Sequence, residues 1–397
     1  MNAKPINPLQ GRQLAVQQRR LMTRRSFLQL ATTTCAIGAF ASTFGITLSG
    51  CSSSRSTKAD EWTKLYKEGS DSVQAYIDSA GREVYLPREI HAVSPSGSYA
   101  QIMLCTLCPE LLVSVSGGFS TKQAVYFDER VTSLPSLGSF YGSKNGDMSY
   151  EGLLREDPDV VIDVGEHKAT IVEDLDGLQA QTGIPALFEL ATIEYMPQAY
   201  RKLGALLGVA ERGNELADYI DAVLTFAQEN RSRIADEDLR VVYSTGEFGY
   251  EVKAAGSVHA MALDLLGVEN VAKLDEAGGT EVSAEQMMIW APDVVILSPV
   301  SGFFDDIYDD PAWASIPAIQ NKRVYEVPGE PYEWLDRPPS VQVVLGLLWL
   351  GNLLFPEIYD YDMLLTTQEF FKLFWNYVLS DSEAQALLAR STLLSEA

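Results

Sequence analysis

Apolar residues along this chain alternate between strand and helix patterns, and one long helical stretch interrupts that alternation. Val73-Gln74-Ala75-Tyr76-Ile77-Asp78 and Arg82-Glu83-Val84-Tyr85-Leu86-Pro87 flank Ser79-Ala80-Gly81 and predict a β-hairpin. Ile90 to Ser94 reads as a short buried strand, about Ser98 to Cys108 as a helix, Leu111 to Val115 as a second strand and Val160 to Val164 as a third. Strands alternating with helices imply a parallel, helix-covered sheet. From Met196 to Ala235 the pattern is wholly helical, with Leu216, Tyr219, Ile220, Val223, Leu224 and Ala227 at helical spacing. At about 1.5 Å per residue, the part from Glu211 to Ala235 predicts a helix of more than ~30 Å. Strand–helix alternation resumes at Leu239-Arg240-Val241-Val242-Tyr243-Ser244.

The second half echoes the first. Six residues separate Ser149-x-Glu151 from Pro158-Asp159-Val160-Val161-Ile162, and six separate Ser283-x-Glu285 from Pro292-Asp293-Val294-Val295-Ile296. A weaker echo pairs Ser98-Tyr99-Ala100 with Ser257-Val258-His259-Ala260. The fold class expected is α/β, with two similar Rossmann-like lobes, helix-covered and mainly parallel in their sheets, on one long connecting helix. The boundaries are residues 73–195, a connector at 196–237, and 238–397 with terminal helices. Pseudo-symmetric lobes on one spine imply a cleft between them.

The first 50 residues carry six basic residues and no Asp or Glu. Thr23-Arg24-Arg25-Ser26-Phe27-Leu28 resembles a twin-arginine export signal, and Leu48-Ser49-Gly50-Cys51 resembles a lipoprotein processing site. Residues 1–50 are therefore expected to be a signal peptide, Cys51 to carry lipid, and 51–72 to form a flexible tether. The expected location is the outer face of the cytoplasmic membrane or the periplasm. The whole chain is −24, and removing the leader leaves −30, a balance that argues against nucleic acid. Cys105 and Cys108 read either as a redox pair or as small buried helix residues. Outside the leader the longest apolar run, Val341 to Phe355, is too short to span a bilayer.

With Ile77-Asp78-Ser79-Ala80-Gly81-Arg82-Glu83-Val84, the doubled Glu-x6-Pro-Asp-Val-Val-Ile and Trp334-Leu335-Asp336-Arg337-Pro338-Pro339-Ser340 before an apolar helix, the chain resembles the substrate-binding lipoproteins of ABC importers for iron chelates, haem and cobalamin. The resemblance covers about residues 73 to 380. It implies capture of a small metal chelate and delivery to a membrane permease dimer with a separate cytoplasmic ATPase. It implies no catalysis and no intrinsic cofactor on this chain. An iron(III) chelate (a siderophore) comes first, then haem, then a corrinoid. The resemblance also implies that Glu151 and Glu285 dock on the permease; from the residues alone, each reads as a carboxylate in the first turn of a capped helix.

The cleft is expected at the C-terminal ends of the strands, where open α/β sheets bind ligands. Ser96, Ser98, Tyr99, Tyr141 and His167 are the candidate contacts from the first lobe, and Glu247, His259, Trp334 and Arg337 from the second. Glycine, serine and aromatic rings suit a broad or chelated ligand. The planar fork of Arg337 suits carboxylates, unless Asp336 or another acid pairs with it. Trp334 either stacks on a ring system or packs the lobe. His167 and His259 fall at matching cleft positions, as hydrogen-bonding groups or metal ligands. His91 lies within a strand. The rival readings are an exported cofactor-dependent enzyme and a sensor lipoprotein. No GxGxxG at a strand–helix turn, P-loop, GxSxG or HExxH motif supports the enzyme.

Overall fold

A computed structural model describes residues 56–141, 147–275 and 279–390. The expected export segment with Arg24 and Arg25, and the expected lipid site Cys51, lie outside the described residues. The first element is a helix, α1 (Lys58–Lys67). Thr57 and Asp60 form a reciprocal capping box at its start, which ties two free backbone N–H groups. Ala59 is buried and its N–H bonds the Gly183 carbonyl at 3.0 Å. Lys58 Nζ reaches the Asp157 carbonyl at 2.7 Å and its carboxylate at 2.8 Å. The stretch 51–72, expected to be a tether throughout, is thus folded against the first lobe from residue 58 onward. The capping box Thr57-Lys58-Ala59-Asp60 is the local reason.

Strands β1 (Val73–Ile77) and β2 (Glu83–Pro87) pair antiparallel, from Val73 opposite Pro87 to Ile77 opposite Glu83. The first-lobe sheet is parallel, in the order β3 (Val93–Pro95), β4 (Val160–Gly165), β5 (Ala186–Leu190). Residues 111–115, expected as a strand, join it only through the single bridge of Leu112 to Val93, while Val115 bridges to Ser136 outside the sheet. Around this sheet lie α2 (Ser98–Leu107), α3 (Tyr150–Glu156) and α4 (Ile171–Thr182).

A helical pair follows, α5 (Met196–Leu206) and α6 (Ala210–Ala235). Their backbones nearly touch: a Cβ on Gly213 would stand 2.5 Å from the Tyr200 carbonyl oxygen, so only glycine fits there. The 26 residues of α6 span about 39 Å.

The second lobe holds β6 (Arg240–Thr245), β7 (Glu251–Lys253), β8 (Glu269–Asn270), β9 (Gly279–Glu281), β10 (Val294–Leu297) and β11 (Val324–Glu326). β8, β6, β10 and β11 run parallel, while β7 and β9 add antiparallel pairings beyond the C-terminal half of β6. Its helices are α7 (Met261–Leu266) and α8 (Ala284–Trp290); α9 (Gln342–Leu354), α10 (Met363–Trp375) and α11 (Asp381–Leu388) close the chain. Among the described residues no helix is long and apolar enough to cross a membrane.

The repeat seen in the sequence is a repeat of structure. Ser149 Oγ accepts from the Gly152 N–H at 3.0 Å, and Ser283 Oγ from the Gln286 N–H at 3.1 Å. Both α3 and α8 have seven residues and end in a left-handed residue, Asp157 at φ 49° and Ala291 at φ 43°, before the next strand. One apolar core runs from the first lobe through α5 and α6 into the second lobe, α9 and α10, while each lobe has a smaller core of its own. A shared core of this extent resists large rotation of one lobe against the other. Cys105 and Cys108 are free and buried, and burial pushes the Cys105 thiol up to about 12, which leaves it unreactive at neutral pH.

Candidate ligand-binding cleft

The strands of each lobe end toward the same opening. A cavity of about 290 Å³ is lined by Tyr99, Gly165, Glu166 and His167 from the first lobe and by Val258, Met261 and Pro338 from the second. A neighbouring cavity of about 390 Å³ shares Glu166, Val258 and Met261 and extends to Arg231 on the spine helix α6. The cleft thus has strand-end loops for walls and the spine near its base.

On the first-lobe wall the polar groups largely satisfy one another. Ser96 is buried and its hydroxyl donates to Asp163 Oδ1, so it is not available to a ligand. Asp163 is itself 3% exposed. Burial raises its carboxyl above the usual range, opposed by Lys168, whose Nζ lies 3.7 Å away, and by Ser96. Lys168 also sits 3.8 Å above the Tyr141 ring, and the Tyr141 hydroxyl donates to Asp174 at 2.8 Å. The Tyr99 hydroxyl donates to the Ala191 carbonyl, leaving the ring to line the cavity. Ser98 opens α2 and is half-buried; His167 is exposed, its ring edge-on to Phe188 at 6.0 Å.

The second-lobe wall is built by residues 328–340, between β11 and α9. Helix α9 presses this segment closely: a Cβ on Gly346 would stand 2.0 Å from the Trp334 carbonyl oxygen. Trp334 is 0% exposed and its Nε1 donates to the Glu330 carbonyl at 3.0 Å. Of the two roles expected for it, packing is the one it fills; its indole is sealed away from any ring in the cleft. Glu333 is buried and accepts from the hydroxyls of Tyr243 and Ser298, and burial raises its carboxyl.

Asp336 does not pair with Arg337. It is 1% exposed and holds His259 Nδ1 at 2.7 Å and Lys253 Nζ at 3.6 Å. Burial opposes its ionisation, yet the hydrogen bond from His259, the charges of His259 and Lys253 and a backbone N–H together hold its carboxyl below the usual range. Arg337 takes a left-handed conformation at φ 53°, rare for a side chain of its size. Its Nη2 donates weakly to Thr245 Oγ1 at 3.4 Å, while Nε is buried without a hydrogen-bond partner. Among the described residues no carboxylate lies within ion-pairing distance of it. Glu247 is exposed in the turn after β6.

Glu151 and Glu285 are exposed in the first turns of α3 and α8. Its own backbone N–H in the first turn and the Ser283 hydroxyl hold the Glu285 carboxyl below its usual range. Lys168, Lys253, Asp163 and Glu333 were not among the sequence candidates. A lone lysine beside Val252 and Ala254, and an aspartate within the apolar run Val160 to Val164, were their visible signals.

Residues 139–331 match the profile of the periplasmic binding protein family. The match covers 193 of the 397 residues. The chain resembles an ABC transporter solute-binding protein from Sulfurospirillum deleyianum, with TM-score 0.72 and 28% identity over 79% of this chain and 99% of that one. A periplasmic solute-binding protein from Veillonella parvula superposes with TM-score 0.68 and 25% identity, covering 80% of this chain and 98% of that chain. In sequence, the molybdate-binding protein MolA of Haemophilus influenzae is 25% identical over 143 residues, 36% of this chain. That match spans 40% of the curated relative's length.

Proposed function

We propose that this protein is the extracytoplasmic solute-binding component of an ABC importer, that it captures an anionic metal complex, and that the complex is an iron(III) chelate. It is exported under Arg24 and Arg25, held at the membrane by lipid on Cys51, and delivers its ligand to a permease dimer driven by a separate cytoplasmic ATPase. It performs no catalysis. The observation that carries the reading is the pair of like lobes on one spine, each offering an exposed glutamate, Glu151 or Glu285, at the same position of the same capped helix. A docking surface that must meet two like halves of a permease needs such a pair; an enzyme or sensor does not. Arg337 supports an anionic ligand, because among the described residues its guanidinium has no counter-charge within ion-pairing distance.

The test is charge reversal of both glutamates in cells that depend on the transported solute. Uptake is expected to be lost while the purified variant binds ligand as the parent does. Retained uptake contradicts the docking role. A second reading, a simple oxyanion as ligand, is favoured by the sequence likeness to the molybdate-binding protein together with Arg337. It predicts binding of molybdate by the purified protein with no response to ferric chelates.

A further inference from the structure

Helix α1 is an appendage with a defined seat. Ala59 is its one buried residue. Trp62 packs against the edge of the main core, and the Tyr66 ring lies 4.8 Å from the Tyr85 ring of β2. Its root is held by polar contacts at one pole of the first-lobe sheet. Lys58 Nζ donates to the carbonyls of Asp157 at 2.7 Å and Pro158 at 3.2 Å, just before β4 begins at Val160. The Ala59 N–H bonds Gly183, just before β5 begins at Ala186. Gly183 is left-handed at φ 70°, and a Cβ there would stand 2.5 Å from Thr57 Cβ, so only glycine leaves room for the root. Asp159, 3.8 Å from Lys58, also accepts from the N–H groups of His91 and Ala92, just before β3. All three parallel strands therefore start beside the root of α1. They end at the other pole, where Gly165, Glu166, Ala191 and Thr192 line the cleft. Helix α3 starts near that cleft pole: Ser96, just after β3, accepts from the Phe140 N–H at 2.6 Å, and Ser139 accepts from the Met148 N–H at 3.1 Å. Glu151 is in the first turn of α3, and Asp157, at its far end, is the residue Lys58 holds.

We infer that the pole carrying the root of α1 is the face this protein turns to the lipid bilayer, and that release of α1 is the step that lets the cleft pole approach the membrane. The inference rests on the reading above that lipid on Cys51 anchors the chain. Six residue steps join Cys51 to Thr57, and six steps reach at most about 20 Å. While α1 is seated, the root stays within that distance of the acyl chains. The six residues of β4 set the cleft pole about 20 Å further along the strand direction. The height of one strand thus consumes the whole reach of the tether. The seated chain holds its cleft side-on to the bilayer or away from it, open to solute arriving from outside. With α1 released, residues 51–72 reach about 70 Å. The lobes can then turn over, and Glu151 and Glu285 come within reach of a permease in the same membrane. A single buried residue and a partly solvated Lys58 make a seat that can be vacated without disturbing the core.

The test uses the processed, lipidated chain in phosphatidylcholine vesicles that carry an acceptor dye on their headgroups. A donor dye is placed on Glu89→Cys at the α1 pole, where the side chain is 87% exposed, or on Glu166→Cys, exposed at the cleft pole. Cys105 and Cys108 are buried and stay unlabelled. Energy transfer to the bilayer is expected to be at least about twofold stronger from Glu89→Cys, given a tether reach of about 20 Å. Two changes are expected to equalise the two sites. Ala59→Glu forces a charge into the buried contact of α1, and about fifteen Gly/Ser residues inserted after Ser54 lengthen the tether while α1 stays seated. The insertion decides the matter should Ala59→Glu unfold more than α1, which thermal unfolding reads. Equal transfer from both sites in the parent overturns the inference, and so does a difference that survives the insertion. A difference that survives Ala59→Glu, once proteolysis ahead of residue 73 shows α1 released, overturns the release step. Flotation reads the anchor separately. A chain that does not float with the vesicles overturns the anchoring reading and the inference together, whereas a chain that floats with equal transfer overturns the inference alone.

Discussion

The two cleft walls share an architecture and differ in how they use their polar groups. On the first lobe Ser96 pairs with Asp163, Lys168 with Asp163 and the Tyr141 ring, and Tyr141 with Asp174. On the second lobe Asp336 pairs with Lys253 and His259 beneath the surface, while Arg337 Nε has no hydrogen-bond partner among the described residues. A satisfied network fixes shape, whereas an unsatisfied one keeps hydrogen-bonding capacity for a ligand. On the proposed reading the first lobe offers a preformed wall, and the second lobe chooses what lies against it.

Breaking the support of the second wall has the largest expected effect. Trp334→Ala removes a wholly enclosed indole beneath Asp336 and Arg337 and is expected to lower unfolding free energy by about 3–5 kcal/mol in a denaturant titration. Arg337→Gln separates recognition from support. Affinity for the ligand is expected to fall about 10–100-fold, as for loss of a charged hydrogen bond worth about 1.5–3 kcal/mol, with little change in the unliganded protein's stability. Titration calorimetry on the variant reads the first and thermal unfolding the second.

The first wall is probed by pH. Burial raises the Asp163 carboxyl, so the folded protein keeps a proton there that the unfolded chain has released. Stability from this group is fully present below the unfolded carboxylate pKa of about 3.9 and is lost as pH climbs through the raised folded value. Asp163→Asn is expected to remove that decline, which denaturant curves from about pH 4 to 7 would reveal. The smallest effect belongs to Lys58→Met. The Lys58–Asp157 contact is partly solvated, and its loss is expected to cost no more than about 1 kcal/mol, visible as earlier proteolysis ahead of residue 73.

Periodicity made the architecture legible: the hairpin, the alternation of strands and helices, the long spine and the doubled Ser-x-Glu helix all follow from patterns local to the chain. Three local readings differed. His91, expected within a strand, is exposed and precedes β3, which starts at Val93. Residues 111–115 form isolated bridges, because their neighbours across the sheet are short, and the stretch expected as a tether folds from Lys58, because its capping box and Ala59 find partners at Gly183 and Asp157. The cleft was legible as a set of loops. Its chemistry was less so, since pairing across the fold decides it. His259 and Asp336 are 77 positions apart in the chain. Nothing local distinguishes Trp334, which is enclosed, from Arg337, which is not.

A thermal-shift titration tests the central claim most directly, with ferric siderophores, haem, cobalamin and molybdate each added to the parent protein, to Arg337→Gln and to Ser96→Ala. A ligand at about 100 times its dissociation constant adds roughly 2.7 kcal/mol, enough for a clear shift. A saturable shift with an anionic metal complex, lost in Arg337→Gln and kept in Ser96→Ala, is the predicted result. A shift that survives Arg337→Gln, or none with any of the four, would contradict recognition by the second lobe.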